Sequence, residues 1–202
     1  MKKALTIGEL LITMAIIGTI AILVLPGFLK DYHKKIYTTR LKKTVELLEN
    51  AVNQACIDNN VSYFYQTPYA QSGNGTQQQA FIEKYFKKAS GMPENPFAAK
   101  YKILNTGKEQ ATNLVAEHDW AKLASGEAIS FYCGNGVENC VFRVDINSTD
   151  GPNIGGRDYF ALFMRKNNNE IYDYYEADQC GANQYGYGCY ARLLQDNWEM
   201  KY

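Results

Sequence analysis

One acid, Glu9, stands inside an otherwise uncharged and mostly apolar stretch from Leu5 to Leu25, directly behind the basic start Met1-Lys2-Lys3. A carboxylate near the centre of a bilayer costs roughly 2.5 kcal/mol or more on insertion scales, so an acid in such a run is read first as functional. As a helix the run would be about 31 Å long at roughly 1.5 Å per residue, enough to span a membrane. Three kinds of N-terminus compete. A secretory signal peptide needs a small-residue cleavage site after its apolar core. Here the core ends in Leu25-Pro26-Gly27-Phe28-Leu29, with no A-x-A pattern. A plain signal anchor fits the length and leaves Glu9 without a purpose. A leader cut in front of the run would keep the run, and its acid, on the mature protein.

The segment KKALTIGELLITMAIIGTIAILVLP resembles the N-terminus of type IV pilins and type II secretion pseudopilins. That family has a short basic leader, a small residue before the scissile bond and a glutamate fifth after it. An apolar helix with a glycine and then a proline follows. Counting back from Glu9 places the bond between Ala4 and Leu5, and Gly18 and Pro26 fall at the family's glycine and proline. The chain departs from the pattern at Ala4, where glycine is usual, at Leu5, where phenylalanine is usual, and at Gly8, where an apolar residue is typical. The match covers residues 1–30. It implies a leader over 1–4, cleavage and N-methylation at Leu5 by a prepilin peptidase, and a membrane and filament-core helix over 5–30. An extracytoplasmic pilin-like domain over 31–202 would follow.

The physics of the segment agrees with that resemblance. An isolated buried carboxylate is costly. In the family the glutamate pairs with the free N-terminal amine of a neighbouring subunit, which cleavage after Ala4 would create at Leu5. An acid expensive alone and satisfied on assembly is a register device. Pro26 lacks an N–H and is expected to kink or locally melt the helix. Gly18 permits close helix–helix approach.

Hydrophobic residues make up 46% of the chain, part of them in the anchor, so the remainder has an ordinary globular mixture. The formal charge is zero; removing Lys2 and Lys3 from the 21 basic side chains leaves 19 against 21 acidic ones. A polyanion-binding surface is therefore not indicated, and no nucleic-acid partner is expected. Of five cysteines, four form two close pairs in Gly/Asn-rich loops, Cys133 with Cys140 and Cys180 with Cys189. Six and eight intervening residues are poor zinc spacings. Outside the cytoplasmic membrane disulfides persist, so two local disulfides are favoured, although spacing alone leaves connectivity open. Cys56 is left over, on an apolar helical stripe, and reads as a buried thiol.

After the anchor, Tyr37, Leu41, Val45, Leu48, Val52 and Cys56 recur at the step of an amphipathic helix. No Gly or Pro interrupts 28–58, and Asn59-Asn60 should end the helix. Residues 61–76 read as a Tyr- and Gly-rich loop. Gln77 to Ser90 reads as a second helix stopped by Gly91 and Pro93. Lys100 to Asn105 is a candidate strand, and Asn113 to Ala124 a candidate short helix with Trp120 buried. Beyond Ala128 four segments have strand character: Ala128–Cys133, Cys140–Ile146, Tyr159–Arg165 and Glu170–Tyr175. Lys166 to Asn169 is a hairpin-turn candidate. The expected fold is α+β, a long helix packed on an antiparallel sheet of about four strands, which is also the architecture the resemblance implies. Seven tyrosines lie between Tyr172 and Tyr202. They read as a half-buried sheet surface, with a sticky surface for neighbouring subunits or a ligand as the other reading.

The best polar constellation is Asp145, Asn147, Asp150, Asn153 and Asp158 on a Gly-rich turn. Hard cations want several oxygens on such a loop, so it is a candidate calcium site. The EF-hand spacing is broken, however, and Gly156 stands where the twelfth-position glutamate belongs. The segment also resembles the Asp-x-Asn…Gly-Pro-Asn…Gly-x-Asp-x-Phe turn before the final hairpin of pilin-like proteins, where side chains bond the loop backbone. The self-bonded turn is the favoured reading. Catalysis finds no support. His33 sits in Asp31-Tyr-His-Lys-Lys35 at the end of the anchor and His118 in Glu117-His-Asp119, neither near a nucleophile motif. Lys34-Lys35 and Lys42-Lys43 suit lipid headgroups or plain solvent.

The sequence thus leads to a structural subunit of a type IV pilus or a type II secretion pseudopilus, not an enzyme. Before assembly it would be a single-pass inner-membrane protein, and afterwards part of a periplasmic or cell-surface filament. Its partners would be its own copies, other pilin-like subunits, the prepilin peptidase, the inner-membrane assembly machinery and lipid. The rival from another class is a membrane-anchored extracytoplasmic ligand-binding domain, which has no use for Glu9.

Overall fold

A computed structural model of the chain describes residues 6–70, 75–91, 94–110, 120–133, 139–165 and 167–202. The chain divides into two compact units, residues up to Ile36 and Tyr37–Tyr202.

Helix α1 runs from Ile7 to Asp58 and contains Pro26. Helical structure continues through Pro26, so the expected local melting does not occur. Proline removes one N–H, and the turns on either side keep bonds of their own. Of the described residues, this one helix is long and apolar enough to cross a membrane, and its most apolar stretch is unburied. The second unit buries the stripe Tyr37, Leu41, Val45, Leu48, Val52 and Cys56. The helix stops at Asn59-Asn60, as expected. Asn60 takes a left-handed φ of 53°, and the Val61 N–H reaches back to the Cys56 carbonyl at 3.0 Å. An asparagine tolerates that conformation at a helix end.

The sheet is larger than four strands and is mixed. It comprises β1 (Tyr101–Ile103), β2 (Glu109–Gln110), β3 (Trp120–Lys122), β4 (Ala128–Tyr132), β5 (Asn139–Asp145), β6 (Ile154–Gly155), β7 (Tyr159–Arg165) and β8 (Ile171–Tyr172). The order is β2-β1-β6-β7-β5-β4-β3, with β8 also paired to β7. The antiparallel centre is β5 on β7, in register from Asn139 opposite Arg165 to Asp145 opposite Tyr159. Strand β6 pairs in parallel with both β1 and β7. Strands β1, β4, β7 and β8 fall within the segments read as strands, although β8 is shorter, and β5 is shifted one residue towards the N-terminus from its expected segment. Strands β2, β3 and β6 are too short to carry a period.

Two helical expectations change. The second helix, α2, spans Gly75–Tyr85 and not Gln77–Ser90. Residues 87–89 leave it because their backbone finds strand partners: Ala89 donates to the Lys122 carbonyl and Ala124 to that of Lys87, both at 2.9 Å. Trp120 belongs to strand β3, paired with β4 at Ser130, and is half-buried. The free edge of β4 supplied a ladder that a short helix lacks. Residues 113–119 of that expected helix lie outside the described residues, as do Gln71 to Asn74, Pro93 and Lys166.

The core has two aromatic centres. Phe81 of α2 contacts Phe131 of β4 at 5.1 Å between centroids, and Phe131 stacks on Phe142 of β5 at 4.8 Å. Phe97, Tyr101, Tyr159 and Ala128 form the second cluster, with Trp120 and Tyr185 against it. A last helix, α3 (Cys189–Gln195), packs on β7.

Candidate functional site

The start of α1 is built by a reciprocal pair. The Thr6 N–H donates to Glu9 Oε2 at 2.8 Å and the Thr6 hydroxyl to the same oxygen at 2.9 Å. The Glu9 N–H in turn donates to Thr6 Oγ1 at 3.2 Å. This is a capping box: two backbone donors at a helix start, which have no intrahelical partner, are satisfied by each other's side chains. The carboxylate also lies at the positive end of the helix dipole. Glu9 therefore has a local role within one chain, which a reading of it as a lone membrane charge overlooks. The signal was present as Thr6-Ile-Gly-Glu9, the T-x-x-E spacing. Ala4 and Leu5 lie outside the described residues. Gly18 and Pro26 are exposed, and a Cβ added at Gly18 would meet open space. Around them Leu11, Ile17 and Leu23 expose 62%, 66% and 81% of their surface, so this is an apolar face that its own chain leaves uncovered.

Both expected disulfides form, Cys133–Cys140 and Cys180–Cys189. Cys56 is a buried free thiol; burial raises its pKa, and Asn169 Nδ2 lies 3.6 Å from the sulfur. Asn169 also accepts the Phe64 N–H at 2.9 Å and donates to the Ser62 carbonyl at 3.3 Å. It bolts the β7–β8 turn to the segment following α1.

The five polar residues of the candidate calcium loop come together only in part. Asp158 accepts the N–H groups of Ile154 at 2.6 Å and Asn153 at 2.8 Å. Asp145 accepts the Tyr101 hydroxyl at 2.6 Å and the Asn147 N–H at 3.2 Å. Asn147 donates to the Gly151 carbonyl at 2.7 Å, and Asp150 is exposed. Both buried carboxylates thus hold the loop's own backbone or a core tyrosine. Burial pushes Asp145 up to about 8 and raises Asp158 as well. No cluster of three His, Cys, Asp or Glu side chains among the described residues is placed to hold a metal. The arrangement matches the self-bonded turn; Asn147 Oδ1, Ser148 Oγ and Asn153 Oδ1 are its buried side-chain oxygens without a partner among the described residues.

The same loop explains its glycines. Gly156, at φ 87°, lies against Cys189 so closely that a Cβ would meet the sulfur. Gly186, at φ 69°, packs on the backbone of Gly156 and Tyr159. The Asp145–Asp158 turn and the Cys180–Cys189 loop are therefore one packed unit beside β6 and β7.

His33 is exposed on α1, its ring edge-on to Tyr32 at 6.3 Å; His118 lies outside the described residues. Lys35, Lys42 and Lys43 are exposed and Lys34 half-buried. Lys42 Nζ stands 5.9 Å from the Trp198 ring centroid. Comparison with protein-family models, with curated proteins and with solved structures finds no match.

Proposed function

We propose that this chain is a structural subunit of a type IV pilus or type II secretion pseudopilus, made as a precursor with residues 1–4 as its leader. The observation that carries this reading is an apolar helical face left bare by its own chain and headed by an acid. Such a face requires lipid or other apolar helices around it. The two disulfides support a location outside the cytoplasmic membrane.

In this reading the helix resides in the inner membrane as a single span. On assembly into a periplasmic or cell-surface filament it exchanges lipid for a bundle of identical helices. Glu9 keeps its bonds to Thr6 and gains the Leu5 amine of a neighbouring subunit. The role is structural, and the domain decorates the filament.

The test is the intact mass and N-terminal sequence after co-expression with a prepilin peptidase. A new N-terminus at Leu5 carrying about 14 Da for one methyl group is the expected result. An intact Met1, or a cut beyond Pro26, would overturn the proposal and favour an anchored binding domain. Glu9→Val gives a second discrimination: assembly fails if the chain is a filament subunit and is irrelevant if it is only an anchor.

A further inference from the structure

An open cleft of about 650 Å³ lies where the beginning of β5, the end of β7 and the segment after β8 meet. That volume is in the range of small-molecule sites, roughly 300–1,000 Å³, but the lining is unlike the apolar lining most such sites have. Three carboxamides face it, from Asn139, Asn167 and Asn168, together with the Arg165 guanidinium and the tyrosines Tyr172 and Tyr174. Carboxamides both donate and accept hydrogen bonds, and guanidinium presents a fixed fork of donors. Sugar hydroxyls likewise donate and accept, often in adjacent pairs.

Several of these groups are held in place. Asn139 Oδ1 accepts the Tyr172 hydroxyl at 2.8 Å, which fixes the orientation of that amide. Arg165 lies over the Tyr172 ring at 4.5 Å. Asn168 Oδ1 accepts the Glu170 N–H at 3.2 Å. Behind the cleft an aromatic stack gives rigidity. Tyr175 and Tyr187 are parallel at 4.4 Å, and Tyr174 rests against Phe163 at 5.7 Å and Tyr175 at 5.2 Å. Tyr174 nevertheless exposes 57% of its surface. An aromatic ring held by neighbouring rings and still largely exposed is a platform for the C–H face of a pyranose.

The charge balance selects among sugars. Among the described residues that line the cleft, one is a cation, Arg165, and two are carboxylates, Asp173 and Glu176. Asp173 is taken up by the N–H groups of Tyr175 at 3.1 Å, Tyr190 at 3.1 Å and Ala191 at 3.3 Å. It anchors α3 to β8 and adds negative field. A sialylated or sulfated ligand would meet that field, whereas an uncharged one would not.

We infer that this cleft binds an uncharged oligosaccharide, with Tyr174 as the stacking platform and Asn139, Arg165, Asn167 and Asn168 as hydroxyl partners. The inference rests on the geometry of the sheet and stands whether or not the chain enters a filament.

The test uses the whole chain in a detergent without a sugar headgroup, probed on a printed array of neutral, sialylated and sulfated oligosaccharides. Binding confined to neutral glycans is expected. In Tyr174→Ala it should fall at least about tenfold, the loss typical of an interface anchor, while Tyr174→Phe, which keeps the ring, stays within about threefold. Asn168→Ala, at a half-buried position of the β7–β8 turn, provides an independent variant should Tyr174→Ala fail to fold by near-UV circular dichroism. Absence of neutral-glycan binding, binding unchanged in both alanine variants, or preference for sialylated or sulfated glycans would each overturn the inference.

Discussion

Leu23 and Leu48 lie on the same helix and meet opposite fates: the first exposes 81% of its surface and the second none. Their side chains are identical, so the difference is what surrounds them. From Tyr37 onward every fourth or third position of α1 is covered by the chain's own domain. From Ile7 to Leu29 the large apolar side chains are bare. One region closes on itself, and the other leaves its apolar side chains exposed. The Asp145–Asp158 loop belongs to the first kind, since its two buried carboxylates are answered by its own N–H groups and by the Tyr101 hydroxyl.

The largest effect expected from that contrast comes from truncating each leucine. Leu48→Ala should cost about 2–5 kcal/mol in urea unfolding of the domain, through lost burial and the cavity left behind. Leu23→Ala should leave domain stability within about 0.5 kcal/mol and reduce yield of membrane-inserted or assembled protein. Equal destabilisation by both would remove the distinction between the regions.

Next in size is the Cys180–Cys189 bond, which closes the loop onto Gly156. Replacing both cysteines by alanine should lower stability by about 2–3 kcal/mol, read as a thermal shift. Reduction by dithiothreitol should lower the wild type by more than the variant, because it opens Cys133–Cys140 in both and Cys180–Cys189 only in the wild type.

Much of the closed region was legible in sequence, for a physical reason. The stripe from Tyr37 to Cys56 repeats through several turns, and β7 is a run of bulky residues long enough to signal a strand. The extra strands were not legible. Ile154–Gly155 is two residues inside a polar loop, and it becomes β6 only because β1 and β7 offer backbone partners on both sides. Trp120 failed as a helical residue for the same reason. The cleft between β5, β7 and β8 could not be read at all, because Asn139, Arg165 and Tyr174 come from three separate segments. Thr6 and Glu9, by contrast, carried a readable capping spacing that an emphasis on membrane charge obscured.

The third effect is a pH dependence. The folded pKa of Asp145 is raised from an ordinary 3.8 to about 8 by burial, so the folded state binds a proton that the unfolded state has released. The stability this proton contributes is fully present below pH 3.8 and is lost as pH rises through about 8. Subtracting the Asp145→Asn profile from the wild-type profile should therefore give a difference that falls across this window. A flat or rising difference would mean that the buried carboxylate is ionised and compensated by a partner.

A smaller effect tests the capping box, where the start of the bare region closes on itself. Thr6→Ala removes the hydroxyl half of the capping box and should cost about 1 kcal/mol of local helix stability, visible as faster amide exchange over the first turn. Thr6→Ser should restore protection. If protection is unchanged in Thr6→Ala, Glu9 is held by something other than its own cap.

The smallest expected effect is that of calcium on the Asp145–Asp158 loop. A cation would have to displace the Tyr101 hydroxyl and the Asn147, Asn153 and Ile154 N–H groups from carboxylates they already hold, or share those oxygens' remaining lone pairs. Ligand-linked stabilisation grows with concentration over Kd, so a site this occupied should respond weakly. Addition of millimolar calcium should move the unfolding midpoint by less than about 1 °C. A rise of several degrees, reversed by EGTA and abolished in Asp158→Asn, would instead place the buried amide oxygens of Asn147 and Asn153 on a cation.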